Sequence, residues 1–320
     1  MANGLAVIVP ALNEADNLGD LLEDLARQSP APDEVIVVDA GSSDGTGDLV
    51  ERQAFAWPAL RVVRLDGAAP GRARNEGIRR SACELIATVD AGSRVGGDWL
   101  ASLSAPLRAG AADAFCVGVA AVDAHSPFER AAGWFTLRAF KPVGARPPLA
   151  PSYRPAGRNG LCFQRRSWEA AGGYPEEFPW GEDKVFLERL SNAGLELISV
   201  PEATVRWRPR RSLRELFRQY EGYGRGDALA RIDRQNELIT IALYGLAAAL
   251  AVAALGGLTA AAIALGVGAV AYLLLFTVAA LGELGFGPAL GWIPIIRIIT
   301  DLAKIRGFIA ASVGRLVRVR

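Results

Sequence analysis

LAVIVPALNEADNL, residues 5–18, passes from an apolar, β-branched run through a polar turn into leucines at helical spacing. Residues 5–10 read as a buried parallel strand, because a strand covered on both faces has no polar side to show. Leu18, Leu21, Leu22 and Leu25 then share one face of a helix spanning residues 13–28. The alternation continues downstream. EVIVVD (34–39) is a second buried strand, residues 41–47 form a turn-rich loop, and helix follows from Asp48. Residues 60–65 form a third strand, 71–81 a helix entered through a loop, and LIATVD (85–90) a fourth strand ending in a carboxylate. A further strand is expected at 160–164 and a further helix at 184–193. Strand–helix alternation with apolar strands predicts an α/β fold on a mostly parallel, doubly wound sheet flanked by helices. Ligands of such sheets bind beyond the carboxyl ends of the strands. The Pro10–Glu14 turn, Asp39–Asp44 and Asp90–Ser93 should therefore converge.

The 320 residues suffice for one large domain and a smaller module. At 51% hydrophobic and 22% charged, the chain can bury a sizeable core and is not expected to be disordered. A net charge of +1 gives no argument for a nucleic-acid partner. Cys83, Cys116 and Cys162 are too scattered for a disulfide framework or a zinc site, and read as small buried hydrophobes in a reducing compartment. The single histidine, His125, excludes a two-histidine mechanism or a multi-histidine metal cage. No signal peptide is expected at the N-terminus. Arginine outnumbers lysine and alanine and glycine abound, the bias of a bacterial chain.

The C-terminal third changes character. From Leu238 to Gly282 there is no Asp, Glu, Lys or Arg, and Gly256-Gly257 divides the stretch into 238–255 and 258–281. At about 1.5 Å per residue these helices reach roughly 27 and 36 Å, against a hydrocarbon core of about 30 Å. Two buried helices of a soluble bundle would keep a polar face, and neither segment has one. Residues 231–320 are therefore expected to form a membrane module: a transmembrane hairpin followed by an amphipathic, interfacial tail at 286–320. Residues 304–320 carry Lys304, Arg306, Arg315, Arg318 and Arg320 and no acid, so this tail is expected on the cytoplasmic side. A hairpin returns the chain to the side it left, which puts residues 1–230 in the cytoplasm at the inner (plasma) membrane.

VIVPALNEADNL (7–18), VVDAGSSDGT (37–46), GRARNEGI (71–78), TVDAGS (88–93), GGYPEEFPWGEDKVF (172–186) and RQYEGYGRGDA (218–228) occur in this order. Together they resemble the family 2 nucleotide-sugar glycosyltransferases of the GT-A fold, over roughly residues 5–230. The membrane tail resembles that of bacterial members acting on lipid or cell-envelope acceptors. The resemblance implies a GT-A catalytic domain at 1–230 in which the Pro10, Asn13 and Glu14 segment cradles the nucleotide. Asn13 also reads as an ordinary helix cap. Asp39, with the Gly41 and Ser42 loop, is implied on the nucleotide side, and Ala40 stands where the family pattern has a second acid.

Arg72 and Arg74, beside Asn75, are placed to neutralise a diphosphate, since guanidinium groups fork onto phosphate oxygens. Asp90 takes the first place of the Asp-X-Asp signature, but Gly92 takes the second. Two hard carboxylates are the usual way to hold a divalent cation across a diphosphate. The family's later histidine is replaced by Val205-Arg206-Trp207. Dependence on Mg2+ or Mn2+ is thus expected to be weak or altered, with Arg72, Arg74 or Arg206 supplying part of the charge. The resemblance makes Asp183 the general base of an inverting displacement, with neighbouring Glu182 orienting the loop. An acidic helix start stabilised by the dipole is the alternative reading of this pair. Arg158, Asn159, Trp180, Gln219 and Arg225 are expected on the sugar and acceptor side, and residues 140–160 as a loop beside it.

The expected activity is transfer of a single sugar from a nucleoside-diphosphate sugar to a membrane-associated lipid or envelope-glycan acceptor. Processive polysaccharide synthases carry Gln-X-X-Arg-Trp where this chain reads Gln219-Tyr220-Glu221-Gly222-Tyr223. A processive synthase and an inactive nucleotide-sugar-binding scaffold remain as alternatives.

Overall fold

The computed structural model describes residues 4–111, 113–138, 160–230 and 234–318. The elements in chain order are β1 (Leu5–Ala11), α1 (Ala15–Ala26), β2 (Glu34–Asp39), α2 (Thr46–Ala54), β3 (Leu60–Arg64), α3 (Pro70–Arg80), β4 (Leu85–Thr88) and β5 (Ser93–Val95). There follow α4 (Trp99–Arg108), β6 (Ala114–Val122), α5 (Pro127–Arg138), β7 (Leu161–Gln164), α6 (Arg165–Ala170), α7 (Glu182–Asn192) and β8 (Glu196–Trp207). The remainder is helical: α8 (Leu213–Ala230), α9 (Arg234–Leu255), α10 (Thr259–Leu284) and α11 (Phe286–Arg318). They form two compact units. One comprises Met1–Asp123 with Ala139–Arg208, the other Ala124–Arg138 with Pro209–Arg320.

The first unit is a mixed eight-stranded sheet in the order β3-β2-β1-β4-β7-β6-β8-β5. β1, β2, β3 and β4 run parallel, as the apolar strands predict. The antiparallel pairs involve β7 and β5, which lie beyond the strongest strand–helix alternation. Leu18, Leu21, Leu22 and Leu25 are fully buried on α1, each contributing about 1.5–3 kcal/mol relative to exposure. α3 lies so close to the sheet that a Cβ on Gly77 would come within 2.5 Å of Ile8 Cγ2. Buried Asp24 of α1 accepts from Arg94 Nε at 2.6 Å and Val95 N at 3.1 Å, tying α1 to β5. Burial pushes the Asp24 carboxyl up, but Arg94 and the Val95 amide outweigh it and hold it below its usual range. All three cysteines are free and buried, as expected of small hydrophobes.

The second unit begins earlier than the boundary expected near residue 230, because α5 and α8 bury their apolar faces with the C-terminal helices. Phe128, Phe135, Leu216 and Tyr220 share one cluster with Ala280, Ile293 and Ile296. Among the described residues, three helices are long and apolar enough to cross a membrane: Arg234–Leu255, Thr259–Leu284 and Phe286–Gly314. They differ in surroundings. The most apolar window of the first has no buried residue, against 11% of residues buried in that of the second and 33% in that of the third. Asp301 of α11 accepts from Tyr244 on α9 at 3.1 Å and from Tyr272 on α10 at 2.6 Å, and pairs with Arg297 at 3.0 Å. Lys304 pairs with Asp227 at 3.3 Å and Glu237 at 2.5 Å. Each of these charges has its counter-ion, the condition for tolerating it in an apolar module.

The α8–α11 crossing depends on two glycines. A Cβ on Gly224 would run into the Lys304 backbone, and one on Gly307 into the Glu221 backbone. Gly245 of α9, by contrast, has open space around it. Gly224→Leu or Gly307→Leu should destabilise the detergent-solubilised chain by about 1–3 kcal/mol or more through forced separation of the helices. Gly245→Leu should leave the melting temperature near that of the parent chain.

Candidate active site

The carboxyl ends of β1, β2 and β4 share one edge of the sheet, and the loops leaving them meet there. Asn13 N donates to Ser42 Oγ at 2.8 Å, Glu14 N to Thr46 Oγ1 at 2.9 Å, and Ala15 N to Asp44 Oδ2 at 3.0 Å. Asn13 Oδ1 accepts from Ser43 N at 2.9 Å. Asn13 has φ +56°, a left-handed conformation that asparagine tolerates better than most residues. Its side chain is therefore committed to the Ser42–Ser43 turn. Asp39, 2% exposed, accepts from Ser42 N at 2.9 Å, and Gly47 leaves the space its second oxygen occupies. The hydroxyl of Thr46, joined by the Ala15 and Thr46 amides, lowers the exposed Asp44 carboxyl against the opposing effect of desolvation. Pro10, Glu14 and Ser42 are half-buried, and Gly41 is exposed at φ +98°, against Asp66.

Opposite this pair of loops stands the start of α3. Arg72 is exposed, whereas Arg74 is buried. Arg74 Nη2 donates to Asp90 Oδ1 at 2.7 Å and Nη1 to Glu182 Oε1 at 2.6 Å. Its guanidinium also lies over the Tyr174 ring, 5.4 Å from the centroid. Burial works against the charge of Arg74, but Asp90 and Glu182 overcome it and hold the guanidinium more firmly protonated than usual. Burial pushes the Glu182 carboxyl up to about 7, with Arg74 pulling it down and Asp183 adding to the rise. Asp183, half-buried, sits in the first turn of α7, where its Oδ1 accepts from Lys184 N at 2.8 Å. Gly181 precedes it at φ +79°, the left-handed turn that brings the chain into the helix. A Cβ on Gly71 would collide with the Pro175 carbonyl and approach Glu182 Cβ at 3.4 Å, so a glycine is what lets α3 and the start of α7 touch.

Asn75 is placed differently from the sequence expectation. It is 2% exposed, and its amide nitrogen donates to Tyr174 O at 2.8 Å and Glu176 Oε1 at 2.9 Å. Its oxygen accepts from Trp168 Nε1 and from Tyr174 N, both at 2.9 Å. With both donors and both lone pairs engaged, this side chain has no capacity left for a phosphate. It clamps the 168–176 segment to α3. Likewise Arg74 points into the ion triad, which leaves Arg72 as the exposed guanidinium of the pair. Arg206 lies opposite Arg94 in the β5–β8 register and helps lower Asp24, so its charge faces α1. Trp180 is 37% exposed beside α7. Gln219 and Arg225 belong to the second unit. There Gln219 is buried and donates to Tyr223 at 2.7 Å, while exposed Arg225 pairs with Glu221 at 2.6 Å. Arg158 and Asn159, with the loop expected at 140–160, lie outside the described residues.

Sequence reading missed Thr46, Tyr174 and Glu176, whose roles depend on partners distant in the chain and leave no spacing signal. Among the described residues, no group of three or more His, Cys, Asp or Glu side chains is close enough to hold a metal ion.

A sheet edge with laced loops, an ion triad around buried Arg74 and an acid at a helix start come together on a GT-A-like fold. The fold recurs in the mannosyltransferase PcManGT from Pyrobaculum calidifontis, solved in complex with GDP-Man and Mn2+. That structure gives a TM-score of 0.65 at 23% identity, covering 94% of this chain and 86% of that one. S. aureus TarS 1-349, in complex with UDP-GlcNAc, gives 0.52 at 20% identity, covering 71% and 66%. The model of glycosyl transferase family 2 matches residues 6–165. Succinoglycan biosynthesis protein ExoA of Rhizobium meliloti (strain 1021) is 30% identical over 231 residues, covering 69% of this chain and 68% of that one. The chain belongs to glycosyl transferase family 2, and it is a glycosyltransferase.

Asn75→Ala would leave the Trp168 indole, the Tyr174 amide and carbonyl and the Glu176 carboxylate without this partner. A stability loss of about 2–4 kcal/mol is expected, since each unsatisfied buried group costs about 1–3 kcal/mol and some regain water. Thermal melting measures it; nucleotide affinity per folded molecule should change little.

Proposed function

We propose that this glycosyltransferase inverts configuration at the anomeric carbon and moves one sugar from a nucleoside diphosphate to a membrane-associated acceptor. The donors named for the PcManGT and TarS structures, GDP-Man and UDP-GlcNAc, support a nucleoside-diphosphate sugar here. The observation that carries the reading is the Arg74 triad, which ties Asp90, on the donor side of the sheet edge, to Glu182 beside Asp183. The exposed Arg72 is free of that triad and suits the diphosphate. Pro10, Glu14, Asp39 and the Gly41–Ser42 turn form the nucleotide cradle, with Asn13 shaping it. As the acceptor hydroxyl attacks, it must lose a proton, and Asp183 is the acid at the mouth of α7 to take it. Glu182 is pinned by Arg74 and serves to hold the turn.

Asp183→Asn preserves shape and the helix start but removes basicity. Turnover should fall about 10²–10⁴-fold with donor affinity nearly unchanged. Glu182→Gln should cost less in turnover and more in melting temperature. Near-normal turnover in Asp183→Asn, with only a small stability change, would return this acid to a dipole role.

The membrane module is read as a hairpin of α9 and α10 with α11 in the interface. α11 has one face on α5 and α8, and exposed α8 arginines such as Arg225 do not belong in hydrocarbon. Its opposite face exposes Ile295, Ile298, Leu302, Ile309 and Val313, a stripe suited to the headgroup–acyl boundary. The catalytic unit and the tail then share the cytoplasmic side of the plasma membrane. Cysteine introduced at Gly256 or Gly257 should react with an impermeant thiol reagent only from outside. Labelling of that site from the cytoplasm, or of the C-terminus from outside, would replace the hairpin with another topology.

A further inference from the structure

The relation of this site to a divalent cation follows from three placements. Asp90 stands alone in the signature, with one oxygen spent on Arg74 and a side chain 40% exposed. The place a side chain would take at residue 92 lies against another carboxylate: a Cβ there would make ordinary contact with Glu14, 3.4 Å from Oε2 and 3.7 Å from Oε1. Glu14 is itself held in place, its Oε2 accepting from Asn17 Nδ2 at 2.8 Å and its amide bonded to Thr46. An acid at 92 would thus press carboxylate against carboxylate. These residues do not fit a cation held between two acids of an Asp-X-Asp pair. A different positive charge is already built in. Arg74, buried, bridges Asp90 and Glu182 with its planar guanidinium, giving one hydrogen bond to each.

We propose that Arg74 is the resident cation of the donor site: a positioning residue that does, with a fixed guanidinium, the charge compensation a divalent cation would do between acidic ligands, and so frees donor binding from metal. The inference rests on the nucleotide-sugar reading above. A buried arginine cannot be chelated or exchanged. It fixes Asp90 relative to the turn carrying Asp183, whatever the ionic conditions. The same argument gives a reciprocal consequence. Without the guanidinium, Asp90 and Glu182 are left without the cation between them, and either a proton on Glu182 or a metal ion must take up the charge. Arg74→Gln should therefore turn a metal-indifferent site into a metal-requiring one.

The test is calorimetric titration of the full-length, detergent-solubilised chain with UDP and with GDP, in chelator and then with Mn2+. For the parent chain, the nucleotide that binds should do so with affinities within about twofold in the two conditions. Arg74→Gln should lose about tenfold or more in chelator, as expected for removing charge-assisted hydrogen bonds, and recover in Mn2+. Arg74→Lys, which keeps the charge and loses the fork, should fall between and gain little from Mn2+. A merely structural arginine would lower the melting temperature without creating a response to Mn2+. Parent-chain binding abolished by chelator and restored by Mn2+ overturns the proposal, and needs no variant to fold. So does an Arg74→Gln chain that binds like the parent or stays weak in Mn2+. Failure of the parent chain to bind either nucleotide in both conditions would instead overturn the nucleotide-sugar reading, and this inference with it.

Discussion

A single buried guanidinium sets the geometry of this molecule's site. Arg74 reaches Asp90 on one side and Glu182 on the other at hydrogen-bonding distance, from a helix whose close approach to the sheet depends on Gly77. Burying Arg74 and Glu182 is costly unless each charge is satisfied. Here the guanidinium meets two carboxylates and the face of Tyr174, and Tyr174 in turn stacks on Phe186 of α7 with centroids 3.8 Å apart. The triad therefore does not float. It is seated on the same aromatic pair that packs α7 against the sheet, so the position of Asp183 is coupled to the packing of the core.

The remaining site is built by the same economy, with each polar group committed to a neighbour before any ligand arrives. Two loops separated by about thirty residues are laced by the Ser42, Asp44 and Thr46 side chains against the amides of Asn13, Glu14 and Ala15. Asn75 does the same for the 168–176 segment. Such pre-organisation lowers the ordering cost when a nucleotide binds. It also divides the polar residues into two kinds: those consumed in shaping the loops, such as Asn13 and Asn75, and those left exposed, such as Arg72.

The second unit applies a related rule in an apolar setting. Asp301, Arg297 and the two tyrosines form a closed network across α9, α10 and α11, and Lys304 is shared by Asp227 and Glu237. Closed networks let charge sit among apolar helices. The glycine crossing of α8 and α11 brings the backbones near enough for Lys304 to reach Asp227.

The sequence by itself determined the strands β1 to β4, because apolar runs between amphipathic helices admit little but a parallel sheet. It determined that the loops after β1, β2 and β4 would gather at one edge, since parallel strands share a carboxyl end. It also determined the charge-free stretch 238–282 that makes up most of α9 and α10, and the family itself through six ordered motifs. What it left undecided is everything set by contacts between distant residues. Arg72 and Arg74 are two residues apart and chemically alike, yet one is exposed and one buried, because helical phase turns only Arg74 toward Asp90 and Glu182. Asn75 reads as a ligand residue and proves a clamp, since its partners lie about a hundred residues on. Gly92 reads as a missing acid, and only the fold shows Glu14's carboxylate beside it. Local pattern fixes which elements form. Which polar groups are consumed inside, and which remain for a substrate, depends on distances that only tertiary packing supplies.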